Sequence, residues 1–547
     1  MKITVKDVVK EYDKPIRALD LPEFNKGKNV ACKINNRLRE LTYIINKDSV
    51  VEFLELDNYE AMLIYENSLR FLICKAMHNL YPEVTLEFNY FISQAISFSL
   101  NGYTKFIDQV LIDELTKEID KIITADYLFK KRTVSIEEAM KIFDANGYSD
   151  KKEVTKYRPE DTAHFYDCDD YINYMFGYMV PSTSYISKYK LTLYYPLIVV
   201  SFPRYELKGK IAPFVDSPNF SKTLRESNKW AKMLGASTIA DINKQTENVE
   251  TAIDFISMCE TRHNDMLCEL GDKILKDISN IKLICIAGPS SSGKTTFSNR
   301  LRVALLTRGI KPIRISIDNY YLPRSEVPLD EEGKPDFEHI EALDINLFNE
   351  QILALIQGQE VSLPIFNFKK GCREWSPNIK IEGNQPIILE GIHALNDRLT
   401  SLIPKYQKFY IYICPLPQFH IDAQNPVIYT DLRLIRRMVR DYKHRNSSAK
   451  DTLSMWNSVR KGEFKWIYPC QEGADYTFNS DLGYEFCVLR KYALPLLNEI
   501  DQDDEYYTTA NRLIKFLKYF RDIDERLVPS NSLAREFIGG SMFEDLK

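Results

Sequence analysis

The chain has 547 residues, of which 44% are hydrophobic, 27% charged and 12% aromatic, a composition that excludes extensive disorder and predicts roughly three globular domains. With 72 basic and 77 acidic residues, its net charge of −5 excludes a chain-wide attraction to nucleic acids or anionic membranes. The ten cysteines form no CxxC pair and the first ten residues lack an apolar signal core, so we expect a reduced, cytoplasmic protein.

The first half mixes strand-like and helical patterns. Short patterns at residues 3–5, 30–34 and 50–56 predict a small α+β module. Apolar residues at helical spacing from 65 to 81 predict a helix that ends before Pro82, and helical patterns follow at 112–125 and 135–144. Strands are predicted within 185–204, and because the apolar stretch there is too short to span a bilayer, no membrane association is expected. A polar, helix-patterned segment at 220–280 is predicted to bridge the two halves.

From residue 281 onward, strands and helices alternate. Strands are predicted at 282–287, 313–317, 386–389 and 409–413, and helices at 294–307 and around 344–357. This alternation is typical of a parallel sheet covered by helices. The second half is therefore predicted to be an α/β domain.

The strongest motif lies between the first of these strands and the helix that follows it. Residues 288–295 read GPSSSGKT, which matches the phosphate-loop pattern GxxxxGK[ST]. Glycines let backbone N–H groups turn toward a polyphosphate, a lysine pairs with its oxygens, and a threonine hydroxyl can ligate Mg²⁺. We therefore predict ATP and Mg²⁺ as cofactors, although a structural Gly/Ser turn is the alternative. The predicted nucleotide-binding residues are Gly288, Pro289, Ser290, Ser291, Ser292, Gly293, Lys294, Thr295 and Thr296.

Two carboxylates follow predicted strands of the α/β domain. Asp318 comes directly after residues 313–317, and Glu390 comes after residues 386–389. Open α/β sheets place their ligands at the carboxyl edge of the strands. A carboxylate there can accept the proton of an acceptor hydroxyl, which we assign to Asp318, or hold a metal ion, which we assign to Glu390 together with Thr295. For Asp318, the alternative is that the side chain begins a structural turn.

Four arginines share one face of a predicted helix. Arg433, Arg436, Arg437 and Arg440 are spaced i, i+3, i+4 and i+7. Like charges on one face repel each other unless an anion is present, and a lid over transferring phosphates needs such a cluster. A solvated face paired with neighbouring aspartates is the alternative.

With these motifs placed, residues 281 to about 490 resemble the uridine kinase and phosphoribulokinase family. The resemblance rests on GPSSSGKTT at 288–296, SIDNYY at 316–321, DFEHIEALD at 336–344, PIFNFKKGCR at 364–373, IILEGIHAL at 387–395 and DLRLIRRMVRD at 431–441. It implies an ATP-dependent nucleoside kinase in which Asp318 is the general base, Lys294 assists transfer, Thr295 and Glu390 lie near Mg²⁺, and Arg436 and Arg440 belong to a lid. The acceptor residues implied are Asp318, Tyr321, Glu338, Phe366, Phe368, Arg373 and Arg433.

The acceptor itself is less constrained. Uridine and cytidine kinases carry a base-reading histidine where this chain has Gly371. We expect phosphorylation of the 5′-hydroxyl of a uridine- or cytidine-like nucleoside, with another sugar-like alcohol as the alternative. A regulator that senses nucleotide and binds RNA is a third hypothesis, although the net charge does not favour a nucleic acid partner. A homo-oligomer is left open.

The first half carries a second resemblance. Residues 30–41 (VACKINNRLREL) resemble the β-grasp TGS module, and residues 60–200 resemble the second additional domain of threonyl-tRNA synthetases. The metal-ligand positions of that domain correspond to Asn67, Phe71, Met175 and Met179, which offer no nitrogen or thiolate ligand. Metal binding and tRNA editing are therefore not expected of this domain, and a binding, regulatory or assembly role is left open.

The resemblances imply five regions. They are a TGS-like β-grasp domain at 1–58, a degenerate synthetase-editing-like α+β domain at 59–205, a helical linker at 206–280, a P-loop kinase domain at 281–495 and a C-terminal helical extension at 496–547.

Overall fold

The structure, a computed structural model, describes residues 1–330, 332–367, 371–383 and 385–544. The first module is a mixed sheet in the order β2-β1-β7-β4-β5, in which β1 and β7 run parallel and the other neighbours are antiparallel. Alternate residues such as Ile3, Val5 and Val51 point into its core. Its strands are β1 (Lys2–Val5), β2 (Val8–Glu11), β3 (Ile16–Arg17), β4 (Ala31–Ile34), β5 (Arg37–Arg39), β6 (Ile44–Ile45) and β7 (Ser49–Leu54).

The second module packs a long buried helix between two antiparallel sheets, β13-β14-β9-β8 and β10-β11-β12. Helix α1 (Tyr59–Leu80) begins where the Asn58 side chain accepts from the N–H groups of Glu60 and Ala61, and it ends before Pro82, as predicted. The other elements are β8 (Thr85–Ile92), β9 (Ala95–Asn101), α2 (Gln109–Ala125), β10 (Lys130–Ser135), α3 (Ile136–Ala145), α4 (Ser149–Thr155), β11 (Thr162–Cys168), β12 (Tyr171–Tyr174), β13 (Lys190–Tyr194), β14 (Leu197–Ser201), β15 (Pro203–Arg204) and β16 (Lys210–Ile211).

Three helices follow: α5 (Pro218–Met233), α6 (Ile239–Gln245) and α7 (Val249–Lys276). Asn248 caps α7 through the N–H of Thr251, and apolar residues such as Phe255 and Leu270 bury one face of this helix. That face belongs to the same hydrophobic core as the phosphate-loop helix. The predicted linker is therefore a packed layer of the kinase region.

The kinase region is built on a five-stranded parallel sheet in the order β18-β21-β17-β22-β25, which confirms the predicted class. Its strand β17 is fully buried, since helices cover both faces of the sheet. The elements are β17 (Leu283–Ala287), α8 (Lys294–Leu306), β18 (Ile313–Ser316), α9 (Ile345–Ile356), β19 (Val361–Asn367), β20 (Cys372–Ile379), β21 (Ile387–Glu390), β22 (Lys408–Cys414), β23 (His420–Asp422), β24 (Asn425–Pro426), α10 (Tyr429–Arg445), α11 (Ala449–Gly462), β25 (Tyr476–Asn479) and α12 (Glu485–Asn498).

The C-terminal segment, with α13 (Tyr507–Leu517) and α14 (Arg535–Ile538), packs into the body of the protein. The rings of Phe486 and Phe520 stack with centroids 5.1 Å apart, which joins α12 to the residues that follow α13. The Thr508 hydroxyl donates to the Asn36 carbonyl at 3.0 Å and links α13 to the first module. Across the described ranges, no helix combines the length and apolarity that a bilayer crossing requires.

Candidate active site

The phosphate loop lies between β17 and α8 and is held tightly against its surroundings. A Cβ atom at Gly288 would overlap the carbonyl oxygen of Ile413 in β22, so this position admits only glycine. Gly293 has φ 88°, in the left-handed region, and a Cβ there would overlap Leu533 from the C-terminal segment. Lys294 Nζ donates to the carbonyls of Gly288 at 3.0 Å and Pro289 at 3.1 Å, so the lysine is folded over its own loop.

Asp318 and Glu390 lie side by side at the carboxyl edge of the sheet. Strands β18 and β21 are parallel neighbours with Ser316 opposite Glu390, which puts the two carboxylates at adjacent strand ends. Burial raises the pKa of Glu390 to about 7, and the charge of Asp318 adds to the effect while Lys294 opposes it. Burial also raises the pKa of Asp318, against the pull of Lys294, Arg445 and Arg440. A carboxyl with a raised pKa at this edge is suited to accept a proton.

The residues available for a magnesium ion are few. Thr295 Oγ1 donates to Glu390 Oε2 at 3.5 Å, so the two predicted metal ligands meet. Among the described residues, no group of three or more His, Cys, Asp and Glu side chains is arranged to hold a metal. This donor set fits Mg²⁺, which typically takes one or two protein ligands and completes its shell with phosphate oxygens and water.

The loop also fits a polyphosphate. The hydroxyls of Ser291 and Ser292 are buried and have no hydrogen-bond partner among the described residues, and Ser291 has φ 59°. Buried polar groups without a partner cost free energy, so these donors are set to receive an anion. The predicted ATP cradle is therefore consistent with the local geometry.

Helix α10 holds the phosphate loop from behind through its arginines. Arg433 and Arg436 are fully buried, and their Nε and Nη1 atoms donate to the carbonyls of Ser290 at 3.0 Å and Ser291 at 3.3 Å. Arg437 Nη1 donates to Ser290 Oγ at 2.8 Å. The arginine face of α10, which was predicted to be an open lid or a solvated surface, is thus largely buried and contacts the phosphate loop.

Buried carboxylates neutralise the two innermost arginines. Arg433 Nη1 donates to Glu463 Oε2 at 3.1 Å, and Arg436 Nε donates to Glu485 Oε1 at 2.8 Å. Because both guanidinium groups are fixed in this way, the structure does not place Arg436 in a lid or Arg433 at the acceptor. The sequence pattern gave no signal of these partners, which follow α10 in the chain.

Arg440, the fourth predicted arginine, lies near the reacting groups. Its side chain is 17% exposed and its Nε lies 3.4 Å from Asp441 Oδ1. Its charge lowers the pKa of Arg445, a residue that sequence reasoning missed and that also acts on Asp318. These two cations are the members of α10 that face the proposed base.

The predicted acceptor wall forms around Tyr321. Its ring centroid lies 6.0 Å from that of Phe366, and its hydroxyl donates to the Phe337 carbonyl at 3.1 Å. Arg373 donates to the Tyr321 carbonyl and to Asp344, both at 2.9 Å, so it supports this wall from outside. Phe368, the remaining predicted acceptor residue, lies outside the described residues.

Glu338 completes the acceptor side. Its Oε2 atom is buried and finds no hydrogen-bond partner in the part of the chain that the structure describes, and burial raises the pKa of Glu338 to about 7 against the charges of Arg437 and Lys294. The backbone carbonyl of Glu338 lies 3.0 Å from His393 Nε2, and a Cβ at Gly462 would overlap its side chain. An unpartnered carboxyl fixed in this way can bind a hydroxyl group.

A segment near the end of the chain lies on the phosphate loop, which the sequence did not predict. The N–H of Thr296 donates to Glu536 Oε2 at 3.0 Å, Leu533 packs on Gly293, and the Arg436 guanidinium lies 4.9 Å from the Phe537 ring centroid. Residues 527–541 follow no phosphate-binding pattern, so local sequence gave no indication of this contact.

Comparisons with known proteins find similarity over the region that contains these residues. The profile of the phosphoribulokinase / uridine kinase family matches residues 283–481. A uridine kinase from Ureaplasma parvum serovar 3 is 30% identical over 194 residues, which are 35% of this chain and 85% of that protein. A possible uridine kinase from Bacillus stearothermophilus, known from its solved structure, has a TM-score of 0.26 and 18% identity, covering 40% of this chain and 98% of its own.

A further similarity concerns a different class of protein. A threonine–tRNA ligase from Listeria monocytogenes serotype 4a is 31% identical over 198 residues, which are 35% of this chain and 31% of that protein. The phosphate loop, both strand-end carboxylates and α10 all lie within the residues that the kinase family profile matches. This chain therefore belongs to the phosphoribulokinase / uridine kinase family.

Proposed function

We propose that this protein transfers the γ-phosphoryl group of ATP to the 5′-hydroxyl of a uridine- or cytidine-like nucleoside and releases the monophosphate and ADP. The observation that carries the proposal is the adjacency of Asp318 and Glu390 beside the phosphate loop. One carboxylate is available for the acceptor proton while the other, with Thr295, is available for the metal. Membership in a family that includes uridine kinases supports the same reaction class.

The residues have separate roles in the proposed reaction. Asp318 accepts the proton as the acceptor oxygen bonds to the γ-phosphorus and the bond to the ADP oxygen breaks. Lys294 would leave the carbonyls of its own loop to pair with the phosphate oxygens, and Arg440 would offset the charge that develops on them. Thr295 and Glu390 would hold Mg²⁺, which neutralises phosphate charge.

The acceptor would lie between the Tyr321 wall and Glu338. Aromatic rings at Tyr321 and Phe366 provide an apolar contact for a sugar or base, and the unpartnered Glu338 oxygen provides an acceptor for ribose hydroxyls. This arrangement supports the ribose end of a nucleoside more directly than its base.

A second acceptor class has one specific observation in its favour. Gly371, at the end of the β19–β20 hairpin, stands where related kinases carry a base-reading histidine, and a Cβ built there would meet no atom of the described residues within 4 Å. A site that does not read the base would accept other sugar-like alcohols. A comparison of nucleosides with simple sugars separates the two classes.

The test is ATP consumption with Mg²⁺ against uridine, cytidine, adenosine, inosine, ribose and ribulose 5-phosphate, with a Lys294→Ala variant as control. Turnover with a nucleoside that disappears in the variant is the expected result. Turnover only with ribose or a sugar phosphate would favour the second acceptor class. ATP binding without turnover on any acceptor would contradict the kinase proposal.

A further inference from the structure

A cavity of about 390 Å³ lies away from the phosphate loop, where the first two modules meet α10 and α13. It is called the junction cavity below. Its walls come from β5, α1, the β10-β11-β12 sheet and α13, so distant parts of the chain build it together. A volume of this size falls in the range of small-molecule sites.

The lining of the junction cavity is strongly cationic. Lysine and arginine side chains outnumber carboxylates by seven to four. Two of these arginines are neutralised, since Arg70 Nε lies 3.2 Å from Glu66 Oε1 and Arg512 Nη2 donates to Asp431 Oδ1 at 3.0 Å. The remaining positive charge is concentrated at one end of the cavity.

Five side chains make up that cationic end: Arg39, Lys131, Arg158, His164 and Lys515. Burial and the charges of Lys131, Arg158 and Lys515 lower the pKa of His164 to about 4. Burial, together with the neighbouring cations, also lowers the pKa of Lys515 and of Lys131. Two of these cations also have a carboxylate within ion-pair distance: Glu40 Oε2 lies 3.8 Å from Lys131 Nζ, and Glu160 Oε2 lies 3.6 Å from Arg158 Nε.

Tyrosine hydroxyls hold these cations in position. Arg158 Nη1 donates to the hydroxyls of Tyr174 at 3.2 Å and Tyr519 at 3.1 Å. Arg39 Nη1 donates to Tyr178 at 3.2 Å, and Lys131 Nζ lies 4.7 Å from the centroid of the same ring. Four cations (Arg39, Lys131, Arg158 and Lys515) have two carboxylates (Glu40 and Glu160) beside them, so a net positive charge remains and an anion placed between the cations would be stabilised.

The cavity wall also carries apolar and aromatic side chains, some of them in contact with these cations. They include Tyr174, Met175, Phe176, Phe516 and Tyr519. Asn67 and Met175, two of the positions that correspond to metal ligands in the synthetase domain, also line the cavity, and neither supplies a nitrogen or thiolate ligand for a metal. A flat aromatic group can pack against the aromatic side chains.

We propose that the junction cavity binds a small phosphorylated ligand that carries an aromatic ring, a nucleotide, at a site separate from the phosphate loop. Arg39, Lys131, Arg158 and Lys515 contact its phosphate, because guanidinium and ammonium groups are the usual partners of phosphate oxygens. The aromatic side chains of the cavity wall contact the base. This site does not depend on the kinase reaction, since none of these residues belongs to the phosphate loop or the acceptor wall.

The test is calorimetric titration of the full-length chain with adenosine 5′-monophosphate, in a Lys294→Ala background that weakens binding at the phosphate loop. Lys131→Gln with Lys515→Gln removes two cations from the junction cavity. Lys130→Gln with Lys518→Gln is the matched control. Lys130 precedes Lys131 on β10 and Lys518 follows α13 directly; both are exposed, as Lys131 and Lys515 are, but neither lines the cavity. We expect the cavity variant either to bind one equivalent of adenosine 5′-monophosphate fewer than the control binds, or to bind it with an affinity at least tenfold lower.

Two further measurements keep the result interpretable. Without ligand, the cavity variant should show a Tm at or above that of the control, because a repulsion has been removed, and so a folding defect can be distinguished from lost binding. Equal affinity in the cavity variant and the control would overturn the proposal. If inorganic phosphate bound the cavity as tightly as adenosine 5′-monophosphate does, the ligand would not be a nucleotide and that assignment would be overturned. If a single-stranded RNA of about 12 nucleotides bound the same residues more than tenfold tighter than adenosine 5′-monophosphate does, the cavity would be an RNA site and the nucleotide proposal would be wrong.

Discussion

The backbone N–H of Thr296 donates a hydrogen bond to Glu536 Oε2 at 3.0 Å, across a separation of 240 residues. Thr296 lies in the first turn of α8, where N–H groups without helical partners bind phosphate in proteins of this kind. A carboxylate from the chain itself therefore lies where a nucleotide oxygen would bind.

Glu536→Gln is expected to lower the KM for ATP by roughly tenfold, because it removes a negative charge that competes with the phosphates. Steady-state kinetics at varied ATP concentration would measure the change. Glu499→Gln, at the exposed end of α12, is the matched control. A higher KM in Glu536→Gln would instead show that this carboxylate helps to hold the bound nucleotide.

Asp318→Asn is expected to reduce kcat by roughly 100- to 10,000-fold with little change in KM, because the amide cannot accept the acceptor proton. Stability should be unchanged or higher, since the pKa of Asp318 is raised by burial and the neutral side chain is the easier one to bury. Asp330→Asn, in an exposed turn, is the control. Full turnover by Asp318→Asn would remove this residue from the reaction.

Glu390→Gln tests the raised pKa of this carboxyl. The folded value is about 7 and the unfolded value is 4.5, so the contribution of Glu390 to stability is fully present below pH 4.5 and is lost as pH rises through 7. The free energy of unfolding of the variant should therefore increase relative to that of the wild type as pH rises. The difference should reach up to about 3 kcal/mol above pH 8.

Thermal unfolding of both proteins from pH 5 to pH 9 would measure this difference. Glu338 and Asp481, whose pKa values burial also raises to about 7, are common to both proteins, so their titration cancels in the comparison. A difference in Tm that stays constant with pH would show that Glu390 does not titrate in this range.

Gly462→Ala is expected to raise the KM for the acceptor while leaving the KM for ATP nearly unchanged. A Cβ at this position would overlap the Glu338 side chain, so the carboxyl must move or the helix must shift, at a cost of about 1–3 kcal/mol of stability. Gly473→Ala is the control, since its Cβ would meet no atom within 4 Å. Separate titrations of acceptor and ATP make the measurement, and an equal rise in both KM values would argue against a local effect on Glu338.

Arg436→Ala is expected to destabilise the protein by about 3–5 kcal/mol, because it leaves the buried Glu485 carboxylate without a partner. Replacing both residues together by methionine should recover much of that loss. Urea unfolding of the three proteins would measure the change. An arginine that acted only in a lid would instead reduce kcat and leave unfolding unchanged.

The sequence alone predicted the parts of the site that depend on contiguous motifs or on residues directly after a strand. The phosphate loop is a contiguous motif, and Asp318 and Glu390 follow strands whose parallel arrangement could be predicted from the alternation of elements. The acceptor wall was found through resemblance, since Tyr321 and Phe366 meet only after a hairpin folds back.

The roles of the α10 arginines could not be predicted. Helical spacing correctly placed Arg433 and Arg436 on one face, but their partners Glu463 and Glu485 lie 30 and 49 residues further along the chain. Whether a charged face is solvated, open to a ligand or buried depends on such distant partners. Glu536 is an extreme case, because nothing near Thr296 in the sequence points to it.

The contact between residues 533–537 and the phosphate loop can form only after both segments have been synthesised. Ribosomal synthesis at about 5–20 residues per second separates Thr296 from Glu536 by roughly 10 to 50 seconds. The parallel sheet can form in that interval, while the face of the loop that Leu533 and Phe537 cover stays open to solvent. A nascent chain that has reached only β25 therefore exposes phosphate-loop surface that residues 533–537 cover in the folded protein.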